Sequence, residues 1–246
     1  MTKDRVKIIG VPISPVNMET AVKDILDNIN EIKGQYICVS NVHTTVMAHD
    51  DPEYLRVQTD SFMSLPDGKP LSVIGRRTFP QMDRVTGPDL MRELFKEENS
   101  KDLRHYFYGN SKENLEKLIE KLNDKYPWLK IAGYEPSVFR EMTEVEEKEL
   151  VERINETTPD FVWVALGAPR QEIFCNKMVG RINGLMIGVG GAFNVIAGIV
   201  PEAPIWVQNL SLEWLYRLIQ EPKRLFKRYA VTNTKFILYL LFDRFK

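Results

Sequence analysis

Phe161-Val162-Trp163-Val164-Ala165-Leu166-Gly167 decides the fold. No polar side chain interrupts the run from Phe161 to Leu166. A strand with one wet face alternates apolar and polar residues. An uninterrupted run of this length fits a strand covered on both faces, the situation inside a parallel sheet. Gly167-Ala168-Pro169-Arg170-Gln171-Glu172 then ends the strand and opens a helix, with Pro at its start and an acid in its first turn. Strand, glycine turn and helix form half of a βαβ unit, and the same rhythm extends in both directions. Downstream, Leu185-Met186-Ile187-Gly188 is a strand leading into Gly188-Val189-Gly190-Gly191-Ala192-Phe193. Upstream, Thr143 and Glu146 form a capping box for a helix through Ile154, Lys130–Gly133 is a strand, and His105–Gly109 is another, followed by a helix marked by Leu115, Leu118, Ile119 and Leu122.

The first third keeps the rhythm. Val6–Val11 reads as one strand. Val22, Ile25, Leu26 and Ile29 mark a helix that Gly34 stops. Tyr36–Ser40 is a strand whose helix starts at Asn41, and Phe62–Leu65 is a strand ending in Pro66-Asp67-Gly68. Gly87-Pro88-Asp89 opens a further helix. Repeated βα units predict an α/β, Rossmann-like, largely parallel sheet with helices on both faces over residues 1–203. A helical appendage occupies 204–246. In such sheets ligands bind beyond the carboxyl ends of the strands, so the strand-ending loops are where chemistry is sought.

Composition narrows the function classes. The chain has 246 residues, a net charge of −1 and 43% apolar residues, which fits a sizeable core and gives no general attraction to nucleic acid. The charge is split: residues 206–246 carry +5, leaving an acidic body with a basic arm. Cys38 and Cys175 stand in apolar contexts outside any CxxC and read as buried free thiols. No signal peptide and no membrane-length apolar run is visible, so the reading is cytoplasmic, or peripheral on the inner face of the cell membrane. There is no GxxxxGK[ST], HExxH, paired CxxC or GxSxG.

Single motifs remain ambiguous. Asp67 after its strand suits a general base, yet an Asp-Gly turn is common and idle. Asn41 suits a substrate contact at a helix N-terminus, or an ordinary cap. The glycine loop suits a phosphate, but Phe193 replaces the last small residue of a dinucleotide fingerprint and no ribose acid follows. In the arm, Arg217, Glu221, Arg224 and Arg228 share a face if Pro222 bends the helix only slightly, and clustered guanidiniums suit a diphosphate. The run Phe236–Phe242 is too short to span a bilayer and too apolar for free exposure. Docking on the body, pairing with another subunit and lying in lipid stay open for it.

Taken together, Val39–His43, Leu65–Gly68, Arg84–Leu90, Leu166–Glu172, Gly188–Phe193 and Leu212–Arg217 with Glu221–Arg224 resemble the WecG/TagA/CpsF glycosyltransferases, family 26, in order and spacing. The resemblance implies inverting transfer from a UDP-sugar to an undecaprenyl-diphosphate-linked acceptor in cell-surface polysaccharide assembly, without metal or cofactor. The sugar is N-acetylmannosamine, its uronic acid or a related hexose. It makes Asp67 the base and Asn41 its catalytic neighbour. Ser40, Thr44, Arg84 and Gly87 then face the substrates, as do Gly167, Pro169, Gln171, Glu172, Gly190, Gly191 and Asn194. Arg217, Arg224 and Arg228 face the diphosphate and lipid. The chain departs from the family pattern at Val39-Ser40, where Thr is usual, at Arg170 for Lys, and at Asn194 for Asp. Two other classes compete: an NAD-dependent nucleotide-sugar epimerase or dehydrogenase, and a non-catalytic membrane-associated scaffold.

Overall fold

The computed structural model describes residues 4–97, 101–204, 206–207 and 212–243, the last stretch without the side chains of Arg224 and Asp243. Six parallel strands form the main sheet: β3 (Tyr36–Ser40), β4 (Met63–Pro66), β5 (Arg104–Gly109), β6 (Lys130–Glu135), β7 (Phe161–Ala165) and β8 (Leu185–Gly188). Their order across the sheet is β4-β3-β8-β7-β5-β6. All five residues of β7 are buried, as its apolar run requires. The expected Rossmann-like α/β architecture is therefore present.

Alternate residues of each strand feed two cores. Ile37, Leu65, Phe107, Trp163 and Ile187 face one side, where they meet α1 (Met18–Asp27), α2 (Ile29–Ile32), α6 (Gly87–Lys96), α7 (Lys112–Lys125) and α10 (Ala192–Ile196). Cys38, Tyr106, Val162, Val164 and Met186 face the other, against α3 (Val42–Asp50), α4 (Pro52–Asp60), α5 (Lys69–Gly75), α8 (Glu144–Glu156) and α9 (Arg170–Lys177). The period of two along each strand is the physical reason that one sheet serves two cores.

Local signals fix several boundaries. Thr143 and Glu146 form the expected capping box of α8. Helix α1 stops at Asp27 rather than running to Gly34, because Asn28 turns its amide back to the Asp24 carbonyl at 2.7 Å. The expected single strand Val6–Val11 is instead a hairpin of β1 (Val6–Ile8) and β2 (Val11–Ile13). Ile9 and Gly10 reverse the chain at φ 44° and 80°, a turn needing two left-handed residues. A β-branched residue seldom adopts that conformation, so the sequence conceals the turn.

The appendage forms α11 (Glu213–Gln220) and α12 (Pro222–Asp243), restarted at Pro222 as expected. Of the arrangements left open for its apolar run, the structure shows docking on the body. Phe236 is buried in the second core with Tyr239 and Leu240 against it, and the Lys235 ammonium and Tyr239 hydroxyl both bond Asp50 at 2.6 Å at the end of α3. The opposite face leaves Phe226, Ile237, Leu238, Leu241 and Phe242 exposed. Among the described residues no helix is long and apolar enough to cross a membrane.

Candidate active site

Strands β3 and β4 pair in register from Ile37 with Met63 to Ser40 with Pro66, so their terminal loops lie side by side. Asn41 caps α3: its Oδ1 accepts from the His43 and Thr44 amides at 3.0 and 3.2 Å. That leaves its Nδ2 for another partner, and the side chain makes a weaker polar contact with Asp67 that favours the carboxylate. The Asp67 amide donates to the Ser40 carbonyl at 2.8 Å, which fixes the backbone under its carboxylate. Desolvation raises the Asp67 proton affinity above the ordinary carboxylate value; Arg217, Arg84 and the Asn41 contact act against the rise, and Glu213 adds to it. The result is a half-buried carboxyl with raised proton affinity, within the electrostatic reach of two guanidiniums.

Arg84 reaches this place because its segment is pinned along the end of β4. Val85 donates to the Pro66 carbonyl at 2.9 Å and the Arg84 amide to Asp83 Oδ1 at 2.7 Å. Its guanidinium pairs with Glu213 of α11. Arg217 follows one turn later on the same helix and faces Asp67. Arg228 of α12 faces His43, whose proton affinity falls through burial first and this cation second. Arg217 and Arg228 thus bring positive charge near the carboxyl ends of β3 and β4. The side chain of Arg224 lies outside the described residues.

Other expected contacts turn inward. Ser40 is 1% exposed, its hydroxyl committed to Gln58 Oε1 at 2.8 Å and to the Ser64 hydroxyl at 2.7 Å. Thr44, equally buried, closes the Asn41 capping box. Both hydroxyls hold the fold rather than face the crevice.

Across the crevice lie the ends of β7 and β8. Gly167 is left-handed at φ 78°, and a cis peptide joins Ala168 to Pro169. Gln171 folds back: its Oε1 accepts from the Gly167 amide at 3.1 Å, and its Nε2 donates to Glu172 at 2.8 Å. A Cβ at Gly188 would stand 3.1 Å from Gln171 Cγ, and one at Gly190 3.1 Å from Oε1. These two glycines make room for Gln171. Only Gly191 of the loop opens onto free space, which counts against a dinucleotide pyrophosphate seated across the whole loop. Gly87 at the start of α6 packs on Val189 and Ala192. Asn194 accepts from Asn110 at 2.6 Å and Asn114 at 3.4 Å, tying β8 to the end of β5. Among the described residues no three His, Cys, Asp or Glu side chains converge to hold a metal.

The family model of the WecG/TagA/CpsF glycosyl transferases matches residues 6–246. The chain belongs to this family. Two relatives carry the same name, N-acetylglucosaminyldiphosphoundecaprenol N-acetyl-beta-D-mannosaminyltransferase. The one from Bacillus subtilis (strain 168) is 35% identical over 214 residues, 84% of this chain and 82% of the relative. The one from Bacillus spizizenii is 33% identical over 198 residues, 80% and 75%.

For a WecG/TagA/CpsF chain, the sequence motifs assign no contact to Asn110 and Asn114, which complete the amide cluster at Asn194, or to Glu213, which lies within Leu212–Arg217 and brings α11 to Arg84. Glu213 had one visible signal: it is among the few acids in a strongly basic arm. Gln58 and Tyr54 carried none, since a buried amide and phenol on a helix look like surface and core residues.

Proposed function

We propose that the chain is an inverting, metal-independent hexosyltransferase that moves N-acetylmannosamine from a UDP-linked donor to a sugar on undecaprenyl diphosphate. The observation that carries this is Asp67, oriented by Asn41 and flanked by Arg84 and Arg217 at the end of a parallel sheet. The acceptor hydroxyl gives its proton to Asp67 as its oxygen bonds the anomeric carbon from the face opposite the leaving group. The bond from that carbon to the donor phosphate breaks, and UDP leaves with its electrons. Arg217 and Arg228 are placed to meet the departing charge, the task a metal performs in other transferases. The names of the Bacillus relatives favour N-acetylmannosamine among the candidate sugars and an N-acetylglucosamine-terminated acceptor. The exposed apolar residues of α12, together with Lys223 and Lys227, favour a peripheral position on the inner membrane leaflet.

The test is transfer to a short-chain lipid-diphosphate acceptor, with UDP-linked N-acetylmannosamine, its uronic acid and glucose as donors and EDTA present. Asp67→Asn is expected to keep UDP binding and to lose transfer by about 100-fold or more, the usual contribution of a general base. An unimpaired Asp67→Asn rate overturns the reading, and loss of wild-type transfer in EDTA overturns metal independence.

A further inference from the structure

A buried chain of polar side chains runs beneath the crevice, from its β3–β4 side to its β7–β8 side. The Ser40 and Ser64 hydroxyls reach Gln58 Oε1 at 2.8 and 3.2 Å. Gln58 Nε2 donates to the Tyr54 hydroxyl at 3.0 Å. The Tyr54 oxygen is thus engaged as an acceptor, and its proton faces the Glu172 carboxyl. From the other side Gln171 Nε2 donates to Glu172 Oε1, while Gln171 Oε1 holds the Gly167 amide. None of these six side chains is more than 4% exposed. The chain has a direction: donors lead from both ends toward Glu172, the terminal acceptor.

Glu172 sits there at a cost. Its Oε2 is buried without a partner at full hydrogen-bonding geometry, the Tyr54 contact being a weaker one. The titratable groups facing it are Tyr54 from α4, Cys38 from β3 and Cys175 from its own helix. Strands β7 and β8 present none. No cation is among the influences on it, so burial dominates and pushes the carboxyl up to about 7. A well-packed apolar side chain would stabilise this position more. The carboxylate therefore calls for a role, and the geometry supplies one.

We propose that Glu172 is a positioning residue for the donor: its ionised carboxylate holds the Gln171 amide as a wedge between Gly167 and Gly190, and protonating it frees the wedge and weakens donor binding. Glu172 touches no substrate and acts through Gln171 on the two loops that face the UDP side. A proton on the unpartnered Oε2 turns the Gln171 bond to Oε1 from charge-assisted to neutral, about half as strong. The Gln171 amide then loses its fixed orientation, and with it the Gly167 bond. This inference rests on the transferase reading for the identity of the ligand.

Calorimetric titration with UDP from pH 5.5 to 8.5 tests it, on wild type, Glu172→Gln, Tyr54→Phe and Asp67→Asn. The ratio of wild-type to Glu172→Gln affinity cancels the titration of UDP's own terminal phosphate. That ratio is expected to fall from about tenfold at high pH, the worth of one charge-assisted hydrogen bond, toward unity below neutrality. Tyr54→Phe removes a bond that favours the carboxylate, so its midpoint moves to higher pH. Measured again in an Asp67→Asn background, the ratio should fall with pH in the same way, which separates this limb from that of the base. Corrected amide exchange at Gly167 should show protection lost at low pH in wild type and at every pH in Glu172→Gln. A pH-independent ratio, an unmoved Tyr54→Phe midpoint or unchanged Gly167 exchange overturns the proposal alone. Failure of wild type to bind UDP overturns it together with the reading it rests on.

Discussion

Half-buried Asp67 and fully buried Glu172 both have raised proton affinity, and their surroundings give them opposite duties. Two guanidiniums and an amide act on Asp67; an amide, a phenol and two thiols, and no cation, act on Glu172. Asn41→Asp tests the first environment. Asp caps a helix as well as Asn does, so α3 and the melting temperature should hold. The added carboxylate beside Asp67 raises its proton affinity further, so the acid limb of kcat should move to higher pH. A limb that moves down refutes the placement. Glu172→Gln tests the second environment through stability. Its carboxyl binds a proton more tightly folded, at about 7, than unfolded, at its ordinary value of 4.5, so ionisation opposes folding. The penalty is absent below 4.5, grows as pH rises to 7 and is constant above. Urea unfolding should therefore show Glu172→Gln more stable than wild type at pH 8, by up to roughly 3 kcal/mol, with the gap closing toward pH 4. A gap that widens on acidification contradicts the raised affinity. At this scale Asp67 and Asn41 were legible because strand-end residues face the crevice by position. Ser40 and Thr44 misled because neighbouring polar groups, invisible in linear sequence, had already claimed their hydroxyls.

Helix α3 links two distant events. Its first turn hangs from Asn41, the partner of Asp67, and its last residue, Asp50, anchors Lys235 and Tyr239 of α12. Phe236 supplies the apolar part of that docking. Phe236→Ala should cost about 3 kcal/mol, typical for truncating a buried Phe. The loss should appear as faster amide exchange throughout α12 while β7 keeps its protection, because a peripheral helix can open without the sheet. Equal loosening of both would mean that α12 is integral to the main cooperative unit. Element identity was legible wherever a local signal exists: the capping box at Thr143 and Glu146, the restart at Pro222, the apolar run of β7. The hairpin at Ile9-Gly10 was not, since its turn depends on a backbone state that Ile rarely adopts. The docking of α12 was not legible either, because an amphipathic helix declares that it has an apolar face without naming what covers it.

The whole molecule combines an acidic body with a basic arm that reaches back to the crevice through Glu213, Arg217 and Arg228. Removing residues after Pro204 should abolish flotation with anionic liposomes and depress transfer even to a soluble acceptor, since Arg217 leaves with the arm. Unchanged flotation would show that the body carries the membrane contact. The layered class of the fold was readable from the βα rhythm, but the order of the strands was not, because pairing across a sheet is a long-range choice with no local mark. That order has a kinetic consequence. Tyr36 pairs with Met186, so the first strand of the main sheet lies beside the last. Such pairings close the longest loops and form late. A folding intermediate can assemble β3 with β4, and β5 with β6 and β7, while β8 is still outside. It would hold Asp67 in one half and Gly167 in the other with a gap between them. Refolding should therefore recover secondary structure before it recovers the capacity to bind UDP, and any trapped species with β8 displaced should be compact, largely native in its strands and catalytically silent.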